Sequence, residues 1–270
     1  MHLPLMLSML SAGVSLSWMP FAHAQEEPLS EEDHRREELG VNPYTAPSIA
    51  RIFQQLDELK PLPFKILRRD FPPVSPAQRE RKGLVFGGLI AEGFLVVEAE
   101  KKDLIEDLGR VLIREARGLG VADRVIRHTA SLTELARQAN WLAVRKELVA
   151  TQADVEEAMI ELRDQKMAHL ISLGGWLRGL EICAGAVEAD FSPQRAKVLI
   201  EPGLIDYFLE ELQTLAPAIA RTPLFEKLRG GITRIRALVD KAPVAGLQLS
   251  DVKIIHAQAR ELNLAIRRSN

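Results

Sequence analysis

Between Lys82 and Glu98 the chain runs GLVFGGLIAEGFLVV, fifteen residues whose one charged member is Glu92 and which are broken by Gly83, Gly87, Gly88 and Gly93. A segment apolar on every side has to be surrounded, by lipid or by protein. A bilayer needs about 20 largely apolar residues at the helical rise, and a carboxylate at the midpoint adds a further penalty. The run is therefore too short and wrongly charged for a span. Each glycine inside a helix costs roughly 1 kcal/mol relative to alanine, and bare helix surface is what offsets that cost when a neighbouring helix packs closely. The segment thus predicts a buried central helix crossed at short range by another.

The rest of the chain carries mostly helical signals. Thr45 followed by Ala46-Pro47 reads as an N-cap with proline in the first turn, and Ile49, Ile52, Phe53, Leu56 and Leu59 recur at helical spacing. Pro61, Pro63, Pro72, Pro73 and Pro76 forbid a continuous helix and mark a proline-rich connection over 61–76. Ser75-Pro76 then opens a long helix, Ala77 to Arg117, ended by Gly118 and Gly120. Further helices are expected over Ala122 to Arg137, Trp141 to Leu173 with an interruption at Gly174-Gly175, Leu177 to Val187, Pro193 to Leu199, Gly203 to Leu215, Pro223 to Val239 and Ser250 to Arg267. Sustained alternation and Asn-Gly or Asp-Gly turns are missing. The expected fold is all-α, a multi-helix bundle with little or no strand, built around the Ala77–Arg117 and Trp141–Leu173 helices. Gly87, Phe94, Leu95, Leu108 and Leu112 are expected in its core.

The first 24 residues contain no Lys, Arg, Asp or Glu, run apolar from Leu3, meet Pro20 and end in Ala22-His23-Ala24. That is the layout of a secretory signal peptide cleaved after Ala24, the alternative being a retained anchor helix. It predicts an exported protein, periplasmic in a Gram-negative cell, with no transmembrane span after cleavage. Residues 25–44 are expected to form an acidic, flexible extension, and 45–270 a single helical domain. Cys183 is the only cysteine, so no internal disulfide can staple the fold. A formal net charge of −2 with mixed signs argues against a nucleic-acid partner.

Candidate chemistry is sparse. Glu92 is a carboxylate in an apolar helix, and needs a partner or a proton if it is buried; Glu181, in GLEICAG, poses the same question. If the two met with His169 between them, a metal site inside the bundle would follow; otherwise Glu92 is expected at the edge of the apolar face or paired with an arginine. Glu-x-x-His, which di-iron bundles use twice, occurs once, at Glu31 to His34 in the acidic extension. Cys-x-x-Cys-His is absent, so covalent haem is excluded, and Met159 and Met167 near His169 read as core filler. Ser250-Asp251-Val252-Lys253 matches Ser-x-x-Lys, but without Ser-Asp-Asn or Lys-Thr-Gly it reads as a helix N-cap with an acidic first turn. Cys183 reads as a small buried residue, and Trp141 and Trp176 as packing anchors.

No motif names an activity. The leading expectation is a non-enzymatic protein that binds a protein partner, or a second copy of itself, or serves a structural role in the cell envelope. The alternatives are a metal- or cofactor-binding bundle using Glu92, His169 and Glu181, and a helical enzyme with an unfamiliar site, whose signature would be arginines and carboxylates facing a pocket.

Overall fold

The computed structural model describes residues 50–242 and 246–268. The expected signal peptide, the acidic extension with His34, and the cap at Thr45 all lie outside them. Among the described residues all regular structure is helical and no strand occurs.

Helix α1 (Arg51–Glu58) buries Ile52, Phe53 and Leu56, as their spacing predicts. The proline-rich connection contains one short helical turn, α2 (Phe64–Leu67). The single helix expected from Ala77 to Arg117 is two, α3 (Arg79–Glu98) and α4 (Lys102–Leu119). Helix α5 (Ala122–Arg137) follows as read. The next correction concerns α6 (Trp141–Glu161) and α7 (Gln165–Ala189): the break falls at residues 162–164, and the helix runs unbroken through Gly174-Gly175. Then come α8 (Pro193–Ala196), a 3₁₀ turn (Lys197–Leu199), α9 (Pro202–Gln213), α10 (Pro217–Ala220), α11 (Pro223–Asp240) and α12 (Leu249–Arg267).

The missed breaks share one cause. At the end of α3, the N–H of Glu100 donates to the carbonyl of Val97 and that of Lys101 to Val96, both at 3.0 Å. This is the Schellman arrangement, which needs a left-handed residue just beyond the helix. Glu100 supplies it with φ 54°, as do Ala139 (56°) after α5 and Arg163 (55°) after α6, whereas glycine, Gly120 at 83°, stands there only after α4. A left-handed non-glycine residue carries strain of roughly 1 kcal/mol. Glu100→Gly, Ala139→Gly and Arg163→Gly together are therefore expected to raise the melting temperature by roughly 4–8 °C, measured by circular dichroism; an unchanged or lower value would show that these residues make compensating contacts.

The centre of the molecule is the packing of α3 against α7, with α12 packed mainly on α7 and also touching α3, and α4 to α6 folded back in succession beside α3. Helix α7 is long and apolar enough to cross a membrane, and every residue of its apolar window is buried in the bundle. Gly174 does not interrupt it because it is a crossing point: a Cβ there would lie 2.0 Å from the carbonyl oxygen of Leu84 on α3. Reciprocally, a Cβ at Gly87 would lie 1.8 Å from the carbonyl oxygen of Ile171. The two backbones touch. Gly87, Phe94, Leu95, Leu108 and Leu112 are all buried as expected. Trp176 stacks on Phe208 of α9 with ring centroids 5.1 Å apart, and Trp141 packs half-buried against the core, so both tryptophans act as anchors.

Candidate functional site

Close approach of α3 and α7 brings charge into the core. Helix α3 carries Glu92 one turn beyond Gly88, and α7 carries Arg178 one turn beyond Gly174, so the crossing sets the two side chains against each other. Glu92 is 4% exposed, Arg178 4% and Glu181 4%, and at that depth each charge needs partners.

They have them. Oε2 of Glu92 accepts from Nε of Arg178 at 2.7 Å, and Oε1 accepts from the backbone N–H of Arg69 at 2.9 Å. Nη1 of Arg178 lies 3.0 Å from Oε2 of Glu181, and its Nη2 also donates to the carbonyl of Leu67. Glu181 further accepts from the guanidinium of Arg69 and, at 3.0 Å, from Nδ2 of Asn263 on α12. Arg267, on the last turn of α12, donates to the carbonyl of Asp70. The proline-rich connection is thus tied down at Leu67, Arg69 and Asp70 over α3, α7 and α12. This explains why a segment with only one helical turn of regular structure has a defined course.

Between the connection and the helices lies a small pocket of about 40 Å³, open to solvent on one side, lined by Arg69, Asp70, Glu92, Arg178, Asn263 and Arg267 and by apolar groups including Phe71, Pro72, Leu89 and Ile266. Gly88 lines it too, and a Cβ there would meet nothing nearer than 3.7 Å. Three guanidinium groups face Glu92, Glu181 and the exposed Asp70, the last of which also pairs with Arg68 outside the pocket. Burial pulls the Arg69 guanidinium down to about 10, helped by the neighbouring cations Arg178 and Arg267 and opposed by Glu181. Burial lowers Arg267 in the same direction, with Arg178 adding to it and both glutamates opposing. At about 10, Arg69 stays protonated at neutral pH. Nη1 of Arg69 is buried and has no hydrogen-bond acceptor.

Chemically, the arrangement favours holding an anion over moving a proton. Both carboxylates are locked by charge-assisted hydrogen bonds, which leaves neither positioned as a general base. The same bonds occupy the oxygens that a metal would need. Glu92 and Glu181 therefore do meet, but around Arg178. His169 lies twelve residues before Glu181 on the same helix, about 18 Å along its axis, where its Nδ1 pairs with the hydroxyl of Tyr207 and its Nε2 is 3.9 Å from Glu211. The metal trio is thus not assembled, and no cluster of histidine, cysteine and carboxylates suited to a metal occurs among the described residues.

The remaining candidates fall to structural roles. Cys183 is buried, and burial pushes its thiol far above the ordinary range. Met159 and Met167 are buried in the core. Ser250 is not the cap of α12: Gln248 is, in a reciprocal capping box with Asp251, whose Oδ2 accepts from the N–H of Gln248 at 2.9 Å. Arginines are what sequence reasoning missed. Arg178 is a lone cation within HLISLGGWLRGLEICAGAV, three residues before Glu181, and that pairing was a usable signal; Arg69, Asn263 and Arg267 join only through tertiary packing. Comparison with protein-family models, curated proteins and solved structures yields no match to the chain, so its site is read from geometry alone.

Proposed function

We propose that this is an exported helical binding protein whose pocket between the proline-rich connection and α3, α7 and α12 takes a small anion, a carboxylate or phosphate. The observation that supports it is Nη1 of Arg69, buried and without a hydrogen-bond acceptor among the described residues, on a residue that lines the pocket together with Arg178 and Arg267. An uncompensated donor on a buried cation is costly, and an arriving oxyanion would satisfy it bidentately. Internal pairing of Glu92 and Glu181 weighs against the metal-binding alternative.

A protein partner is the second reading, and the exposed apolar side chains Ile66 and Val74 on the same connection favour it. A partner presenting a carboxylate could use both features. Calorimetric titration with succinate, inorganic phosphate and chloride tests the first reading. Saturable binding of succinate or phosphate, weakened about ten-fold or more by Arg267→Gln at unchanged melting temperature, is the expected result; no saturable binding of any of the three would refute it.

A further inference from the structure

A second cavity, about 330 Å³ and partly open to solvent, lies between the first turn of α3 and the α10–α11 corner, apart from the pocket above. Its walls are largely apolar, with Ile219, Leu224 and Phe225 among them, and two charged residues line it, Glu80 and Arg81. Arg81 is 5% exposed. Its Nη1 donates to the carbonyls of Ala265, at 3.2 Å, and of Arg268, at the end of α12. Nε has no acceptor. Burial lowers its proton affinity. Among the described residues its acceptors are backbone carbonyls, and a buried cation held by carbonyl dipoles is incompletely compensated.

The cavity also receives the first turns of α3 and α11, neither of which has a side-chain cap bond. First-turn N–H groups have no carbonyl partner within their own helix and carry the positive end of its dipole. Partial positive charge from two helices, offset in part by Glu80 and Glu226 in the same turns, adds to that of Arg81 beside an apolar space. Glu80, half-buried on the rim, opposes a second negative charge.

We propose that this cavity binds a monoanionic amphiphile, such as a fatty acid, with its carboxylate on Arg81 and the first turns of α3 and α11, and its hydrocarbon chain over Ile219, Leu224 and Phe225. The size suits it, since the space of about 330 Å³ falls within the roughly 300–1,000 Å³ of ligand cavities with apolar walls and few polar groups. The single charge at one end sets the orientation.

Titration of dodecanoate into the full chain, kept below its micellar concentration, tests this. One molecule bound per chain is expected, with Arg81→Gln weakening it about ten-fold or more and dodecanol binding correspondingly worse. Ile219→Trp, a change at a half-buried wall residue that keeps Arg81, is expected to abolish binding at unchanged melting temperature, and it carries the test if Arg81→Gln fails to fold. Absence of saturable binding, equal affinity for dodecanol, or unaltered binding in folded Arg81→Gln or in Ile219→Trp would overturn the assignment.

Discussion

Replacing Gly87 by alanine is expected to destabilise the protein by more than about 3 kcal/mol, whereas the same replacement one residue later, at Gly88, is expected to be neutral or to stabilise it by up to about 1 kcal/mol. In the absence of structure the two glycines look alike. A methyl at Gly87 would stand 1.8 Å from a backbone oxygen of α7, and backbone inside a hydrogen-bonded helix cannot turn aside as a side chain can. The helices would have to separate, opening space along the whole interface between α3 and α7. At Gly88 the nearest atoms are 3.7 and 3.9 Å away, ordinary contact distance, so alanine keeps its helix propensity without a clash. Urea unfolding of both variants measures the difference. Equal effects at the two positions would mean that the backbones do not touch where the geometry puts them.

Arg178→Met is expected to cost about 3–5 kcal/mol, the usual penalty for stranding buried charge by removing one partner. The arginine serves both Glu92 and Glu181 and in addition the Leu67 carbonyl, so its removal strands three acceptors at once. Glu92→Leu in the same chain is expected to recover part of the loss, because the network, though satisfied, is not intrinsically better than apolar packing of similar volume. Denaturant unfolding of the two single variants and the double variant checks this. If Arg178→Met alone proved neutral, the cluster would have to be more hydrated than its burial indicates.

How much of this was legible beforehand divides along physical lines. Helix identity follows from apolar periodicity, and the core residues Phe94, Leu95, Leu108 and Leu112 follow from it too, since periodicity reports burial directly. Helix ends marked by proline or by Asn140, whose side chain accepts from the N–H of Ala143 at 3.2 Å, were also readable. The ends at Glu100 and Arg163 were not, because their left-handed turns are imposed by packing on residues with no preference for them. Gly174-Gly175 misled for the opposite reason: glycine there serves interhelical contact, while its usual local meaning is a break. The awkward carboxylates Glu92 and Glu181 pointed to the right place in the core. What they did not reveal was their partners, since Arg69 and Arg267 come from a connection and a helix end far away in sequence.

Both the fold and the pocket depend on the backbone contact between α3 and α7, because it sets the spacing at which Glu92 meets Arg178 and at which Gly88 leaves the pocket open. A double-mutant cycle on Gly87→Ala and Gly174→Ala, followed by urea unfolding, tests that contact most directly. If the two methyls strike the same crossing, the first substitution already forces the helices apart and the second adds little, so the double variant should fall short of the sum of the singles by about 1 kcal/mol or more. Additive losses would contradict a shared crossing, and with it the close approach of α3 and α7 as the origin of the buried charge cluster.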